Sequence, residues 1–521
     1  MNITITSLTR FGDLLQMQPV ISGLAEQGHR VAAVCLSNFA DTAELLSDLD
    51  QLCPLPGGKL LAELERHWPS ALGELLSFAS SCPKADRILN LTPTLPGRLL
   101  SRLLTGDNQT AELAGFCLDE LGFGFSSSPW AVFLLSAVSN RGCSPFNIVD
   151  LFRRAAGLEP DPAHGLKLSE PKQEDMRWAE DFLRANSPPD AACWLAMQLG
   201  ASEDRRRWPI DCFARLGEML WREKKICPVL LGSAQEEALG REFLARSKTP
   251  AVNMIGRTSL GRLAAALRRT RGLITNDTGT MHLAAALKLP IAAIFLATAQ
   301  PWDTGPYLAG SLCLEPDMDC HPCPFGRPCS NNEACRRAVS PETVFELLRP
   351  MLAGENPPNG PYQAKVWESV IGADGYMDLR SLSGHENSDR TAWIRHQKFF
   401  FRHFLDAKKI VPAEAAHLPA LSRPAYEEIN HSLEQAAQLL TMLKAQGAML
   451  AATPNELLKN KFMSGWRKVG QLWQNSVHFT NMGFLWLSFS QEAGGHLAGI
   501  MAQIERFSEL SADWRDSLKF R

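Results

Sequence analysis

No stretch of this chain reaches the roughly 18 consecutive apolar residues that a bilayer-spanning helix needs, which argues against a transmembrane protein. Charge of one sign is also scarce. A net charge of −3, with 21% charged residues, is too little positive charge for a general nucleic-acid binder. The N-terminus lacks the basic segment and apolar core of a secretory leader and enters at once the strand-like Ile3-Thr-Ile-Thr-Ser-Leu8, so a cytoplasmic location is expected. The turn after that run, Thr9-Arg-Phe-Gly-Asp13, is not a G-x-G-x-x-G loop, which disfavours a nicotinamide or flavin dinucleotide there. In a cytoplasmic chain the thirteen cysteines are expected to be mostly reduced thiols. What remains is ordinary for a soluble globular protein: 45% hydrophobic residues, and 521 residues, too many for one core and suited to two or three domains.

The most informative stretch is Gly272 to Pro290. Leu273 and Ile274 read as a buried strand, Asn276-Asp-Thr-Gly279 as a turn, and Met281, Leu283, Ala284 and Leu287 as a helix that Pro290 stops. Ile291–Phe295 then reads as the next strand. A helix that opens on Thr and Gly directly after a strand offers unpaired backbone N–H groups and a positive dipole end, a site for phosphate. Asp277 cannot favour an anion by charge and suits a cap or a sugar hydroxyl. An ordinary capped crossover helix would look the same.

Before this stretch, two strand runs at Ile3–Leu8 and Val31–Val34 flank a helical face of Leu14, Met17, Ile21 and Leu24, a βαβ unit that implies a parallel sheet. Pro19 should kink that helix or shift its start. Arg87–Leu91 reads as a further short strand. After the polar segment 171–189 and the hinge-like Ser187-Pro-Pro-Asp190, apolar runs at Trp194–Leu199, Pro228–Leu231, Val252–Ile255, Leu273–Thr275 and Ile291–Phe295 alternate with helical patterns. The expected fold is α/β, with two doubly wound domains at 1–165 and 190–350. An α-helical region follows at 362–521, after the linker Gly354–Pro361.

Four segments carry a family resemblance: Arg10-Phe-Gly-Asp13; Gly200-Ala-Ser202 before Arg206-Arg-Trp-Pro209; Asp277-Thr-Gly-Thr-Met-His282 with Thr304-Gly-Pro-Tyr307; and the cysteines from 320 to 335. In this order they resemble the family-9 glycosyltransferases, the ADP-heptose:lipopolysaccharide heptosyltransferases, over about residues 1–350. The resemblance implies the GT-B architecture, two Rossmann-like domains facing a cleft. It implies an inverting, metal-independent transfer of a sugar, heptose above all, from a nucleotide-diphosphate sugar such as ADP-heptose to a lipopolysaccharide-type or lipid-linked glycan. Asp13 would be the general base on the acceptor hydroxyl. The donor would be held by Ser202, Arg206, Glu236, Thr258, Asp277, Thr278, Gly279, Thr280 and His282. Arg206 would meet the diphosphate, Glu236 the ribose and Asp277 the donor sugar, while Thr258 lies near the base. Arg206 stands where the family usually has Lys, which alters reach and geometry. Taken singly, without the other motifs, Asp13 suits its helix dipole, Glu236 a first-turn position, and His282 simple packing.

Cys320-x2-Cys323-x5-Cys329-x5-Cys335 lies in the proline-rich loop 313–335. Four such thiols are candidates for a structural Zn or Fe, or for reduced packing thiols that brace the loop; the transfer itself needs no cofactor. In the tail, Leu433, Ala437, Leu440 and Leu443 follow one helical face, as do Leu497, Ile500, Ile504 and Phe507. Phe399–Phe401 and Phe484–Trp486 suit a bundle core or, alternatively, peripheral contact with the inner membrane or a partner. This region has no counterpart in the family and leaves two alternatives open: transfer to a protein acceptor, or a non-catalytic GT-B scaffold with a partner-binding tail.

Overall fold

The computed structural model describes residues 1–106, 108, 110–139, 144–492 and 496–521. These form two compact units: Met1–Ser128 with Phe146–Gly384, and Pro129–Pro145 with His385–Arg521.

The first unit holds two sheets. One contains β1 (Asn2–Ser7), β2 (Arg30–Leu36), β3 (Gln51–Leu55), β4 (Arg87–Asn90), β5 (Glu112–Leu118) and β6 (Gly124–Ser126) in the order β3-β2-β1-β4-β5-β6. It is parallel except for the β5–β6 pair. β1 and β2 are almost wholly buried, as expected of parallel strands covered on both faces. The chain between them breaks into helices Phe11–Gln16 and Gln18–Glu26. Pro19 sits in the first turn of the second, where its missing N–H costs nothing.

The other sheet contains β7 (Cys193–Gln198), β8 (Ile226–Leu231), β9 (Val252–Asn253), β10 (Leu273–Asn276), β11 (Ile291–Ile294), β12 (Leu312–Glu315), β13 (Lys365–Ile371) and β14 (Met377–Ser381). Its order is β14-β13-β12-β11-β10-β7-β8-β9. Strands β7 to β12 are parallel, and β13 and β14 add an antiparallel edge. That edge differs from the sequence reading, which took 362–521 as helical throughout. The Asp374-Gly375 pair, with Gly375 at φ +82°, is a hairpin turn signal inside that range. Pairing β13 to β12 continues the sheet, because Trp367 is buried and donates to the buried Glu315 carboxylate at 2.8 Å.

In both sheets the strand order reverses direction at one place, between β1 and β4 in the first and between β7 and β10 in the second. Crevices at the carboxyl ends of such strands are where open α/β sheets hold ligands.

The second unit is helical. Its long members are Asp389–Leu405, Arg423–Ala452, Glu456–Asn475, Thr480–Glu492 and Leu497–Ser517. The buried residues of Arg423–Ala452 are Ile429, Leu433, Ala436, Leu440, Leu443, Gly447 and Leu450, a seven-residue repeat typical of packed helices. The register places Ala436, not Ala437, in the core. Aromatic side chains fill the interior: Trp514 stacks on Trp393 at 5.0 Å and Phe400 at 4.8 Å, and Trp466 meets Trp486 at 3.9 Å. Phe400, Phe401 and Trp486 are buried here, which answers the alternative of an exposed aromatic surface at these residues. The helix Pro129–Ser139 joins this unit, with Phe133 against Phe401 at 5.1 Å and Ser136 bonded to Asn481.

Among the described residues no helix is long and apolar enough to cross a membrane. The twelve described cysteines are free thiols; Cys143 lies outside the described residues.

Candidate functional site

The residues singled out from the sequence follow the carboxyl ends of successive strands of the second sheet. Ser202 and Arg206 come after β7, Glu236 after β8, Thr258 after β9, and Asp277 to His282 after β10. β7 and β10 are the neighbours that flank the strand-order reversal, so the loops after them form its crevice.

Asn276, at the end of β10, ties these two loops together. Its amide donates to the carbonyls of Gly200 at 2.9 Å and Leu199 at 3.1 Å, while its carbonyl accepts from the Trp208 backbone N–H at 2.9 Å. Trp208 is fully buried and donates its indole N–H to Val339. One buried side chain thereby sets both ends of the 200–208 loop. The sequence reading passed over Asn276 because a strand-ending Asn resembles any turn residue.

Arg206 is only 5% exposed, and each of its guanidinium nitrogens is engaged. Nε donates to Thr298 at 2.7 Å, and the terminal nitrogens lie 3.2 Å from Glu203 and 3.8 Å from Asp277. A buried cation needs such partners, and here they link the loop after β7 to the turn after β10. Arg205 pairs with Glu203, and Arg207 with Asp204. The Glu203 carboxyl is held below its ordinary range, first by the hydrogen bond from Arg205 and then by the charge of Arg206.

The helix Gly279–Ala286 opens with Thr278 as its cap residue. Thr278 has its hydroxyl 3.1 Å from Thr275, and Thr280 donates to Gln198 at 3.0 Å. Gly279 has no room for a side chain, because the Phe11 ring occupies the place of its Cβ. A Cβ on Gly12 would lie 3.1 Å from Gly279 Cα and 3.5 Å from the His282 ring. The helix that starts at Phe11 and carries Asp13 in its first turn is thus pressed against the start of the Gly279 helix. His282 is 5% exposed on that seam.

Glu236 closes a capping box with Ser233, accepting from its backbone N–H at 2.7 Å. Its carboxylate also lies over Gly200, where a Cβ would collide with it. Ser202 is exposed, and Thr258 is half-buried beside Ser259, which caps the helix Leu260–Arg268.

Tyr307 of the Thr304-Gly-Pro-Tyr307 segment is fully buried and donates to Asp150 at 2.7 Å. The other Asp150 oxygen accepts from the Met377 N–H, and Asn147 donates to the Gly305 carbonyl. Burial, then the Asp150 charge, push the Tyr307 phenol far up. Tyr307 is therefore an anchor of this loop. Asp150 carries no signal in the sequence, since its partners Tyr307 and Met377 lie far along the chain.

The cysteine loop packs onto the arginine loop. Phe325 lies under the Arg206 guanidinium at 5.3 Å, the Arg327 carbonyl accepts from Arg205, and Arg336 donates to the Arg207 carbonyl at 3.1 Å. Burial, then the neighbouring Cys335, Cys320 and Cys329, push the Cys323 thiol up. Backbone N–H groups of Asn331 and Glu333 point at Cys329, and the Asn331 amide at Cys320. Among the described residues, however, no group of three or more His, Cys, Asp or Glu is disposed to hold a metal ion. Through Phe325, Arg327 and Arg336 the loop braces the arginine loop.

Two doubly wound sheets joined as one unit, with ligand-type residues at their reversal points, define a GT-B architecture. A family-9 glycosyl transferase from Veillonella parvula has this fold: TM-score 0.54 and 19% identity, covering 68% of this chain and 98% of that one. Residues 147–334 match the model of glycosyltransferase family 9 (heptosyltransferase). It is 26% identical over 206 residues to lipopolysaccharide heptosyltransferase 2 of Salmonella typhimurium, covering 39% of this chain and 58% of that protein. It is 34% identical over 100 residues to lipooligosaccharide heptosyltransferase 2 of Haemophilus influenzae, covering 18% of this chain and 28% of that protein. The chain thus spans less than two thirds of the length of these relatives.

Proposed function

We propose that the chain is an inverting glycosyltransferase that moves a sugar, heptose above all, from a nucleotide-diphosphate sugar such as ADP-heptose to a lipopolysaccharide-type glycan. The observation that carries this reading is the seam between Gly12 and Gly279, which puts the first turn of the Asp13 helix beside the first turn of the Gly279 helix. Asp13 takes the proton of an acceptor hydroxyl as its oxygen attacks the anomeric carbon and the bond to the diphosphate breaks. The backbone N–H groups at Thr278 to Thr280, with Arg206 and His282, stabilise the charge that collects on the departing diphosphate. Asp277 holds a donor-sugar hydroxyl and Glu236 the ribose; Ser202 and Thr258 border the nucleotide.

The arginine loop enters this reading already ordered, because Glu203, Asp277 and Thr298 fix the Arg206 guanidinium before any ligand arrives. Such preorganisation favours charge development without reorganisation at the moment of reaction. The chain works in the cytoplasm, with a lipid-linked acceptor presented at the membrane surface. Support for that contact comes from the helix Gly57–Ser81, which exposes Leu61, Leu64, Trp68, Leu72 and Leu76.

The test is Asp13→Asn. Transfer from ADP-heptose should be lost while ADP binding, measured by calorimetry, stays near wild type, because the donor residues lie on the second sheet. Wild-type turnover at saturating acceptor would remove Asp13 from the chemistry.

A further inference from the structure

At the edge of the second sheet opposite the candidate site, a cavity of about 310 Å³ opens at the amino ends of β7 and β8. Its volume is at the lower end of the range of small-molecule pockets, roughly 300–1,000 Å³. The wall is apolar: Leu220, Ile226, Phe345 and Leu352 line it, and the first two and Phe345 belong to the buried core. The rim is cationic, formed by Lys224, Arg271 and Arg349 from three separate segments. No carboxylate lines the cavity. None of these three cations forms an ion pair or a side-chain hydrogen bond among the described residues.

Several arginines elsewhere in the same unit are paired. Arg205, Arg206, Arg207, Arg215 and Arg336 each have an acidic partner. Three like charges around one opening repel one another, and an anion placed among them relieves that repulsion. An apolar floor beneath them adds the energy of burying a hydrocarbon segment. We infer that this cavity is a binding site for a single-chain anionic amphiphile, its apolar body against Leu220, Phe345 and Leu352 and its carboxylate or phosphate among Lys224, Arg271 and Arg349.

The site is separate from the proposed transfer chemistry. β7 is six residues long, so its two ends are about 20 Å apart. Cys193, half-buried at the start of β7, lines the cavity and gives it a local reporter. Burial pushes that thiol up, and the charge of Arg271 opposes the shift.

The experiment uses the full chain and octyl phosphate as probe, with inorganic phosphate and octan-1-ol as its two halves. Equilibrium dialysis should give one saturable octyl phosphate site, and neither half should saturate it at the same concentration. In Arg271→Gln/Arg349→Gln, two exposed positions, affinity should fall about tenfold or more, the equivalent of one lost charged hydrogen bond. Bound octyl phosphate should slow alkylation of Cys193, read by peptide mass spectrometry, several-fold more than that of the exposed Cys320. Equal binding of octan-1-ol, unchanged affinity in the double variant, or dialysis binding that leaves Cys193 alkylation unaltered would each overturn the inference. In those cases the cations serve only the nearby helix ends.

Discussion

Asn276→Ala isolates the residue that holds the site's two loops in register. The substitution removes two good amide-to-carbonyl bonds, to Gly200 and Leu199, and one bond from the Trp208 N–H, all buried. A typical buried hydrogen bond contributes about 1 kcal/mol net, and a buried group left without a partner costs about 1–3 kcal/mol. Relaxation of the Gly200 loop lets water reach some of these groups, so the sum is not additive, and the expected loss is about 3 kcal/mol. Urea unfolding followed by tryptophan fluorescence would read this as a lower midpoint at unchanged slope. Nucleotide binding should weaken as well, since the same bonds position Gly200 against Glu236 and Trp208 next to the arginine loop. Asn276→Asp is the stringent control, because it keeps an acceptor for Trp208 and sets a carboxylate against two carbonyls. It should be no better than Ala. A loss under about 1 kcal/mol in the Ala variant, with ADP affinity unchanged, would show that the loops hold their shape without Asn276.

The parallel strands were legible because their buried runs are short, apolar and bounded by turn residues, as in Leu273–Asn276 and Ile291–Ile294. The Gly12 and Gly279 positions were legible as motif residues, but their mutual approach was not, since contact between residues 267 apart leaves no trace in local pattern. Asn276 and Asp150 escape for a related reason: their partners are remote in sequence, so nothing around them marks the bonds. The β13–β14 hairpin is hidden in the sequence because its strands directly follow a clear linker and precede long helices. The apolar face of Gly57–Ser81 also went unread: the helix carries Pro69 and a non-helical His67, which break its periodicity. In the tail, helical faces were recognisable from spacing, yet the neighbouring Ala436 and Ala437 are separated only by the seven-residue register of the finished bundle.

Arg206→Ala should weaken ADP binding by about 1.5–3 kcal/mol, the range for charged hydrogen bonds. An unchanged dissociation constant in calorimetry would move the diphosphate elsewhere. Gly279→Ala must displace the Phe11 ring, so the expected result is lower stability together with lost transfer; an active, stable variant would mean that the seam is loose. In the cysteine loop, protein purified without added metal should contain well under one equivalent of Zn or Fe by elemental analysis, and stoichiometric metal would contradict the metal-free brace. Acid stability tests Asp48, whose carboxyl is held below its ordinary value of 3.8, first by the hydrogen bond from Ser22 and then, against desolvation, by Lys167 and Ser47. A carboxyl depressed in the folded state contributes stability that is fully present above its unfolded value and is lost as pH falls through the folded one. Asp48→Asn should therefore be less stable than wild type at neutral pH, and the gap should narrow as the pH drops below about 4. Urea midpoints taken for both proteins from pH 6 down to the acid limit give the comparison. If the gap stays constant across that range, Asp48 acts through packing and its charge contributes nothing, and the Ser22 and Lys167 contacts are incidental.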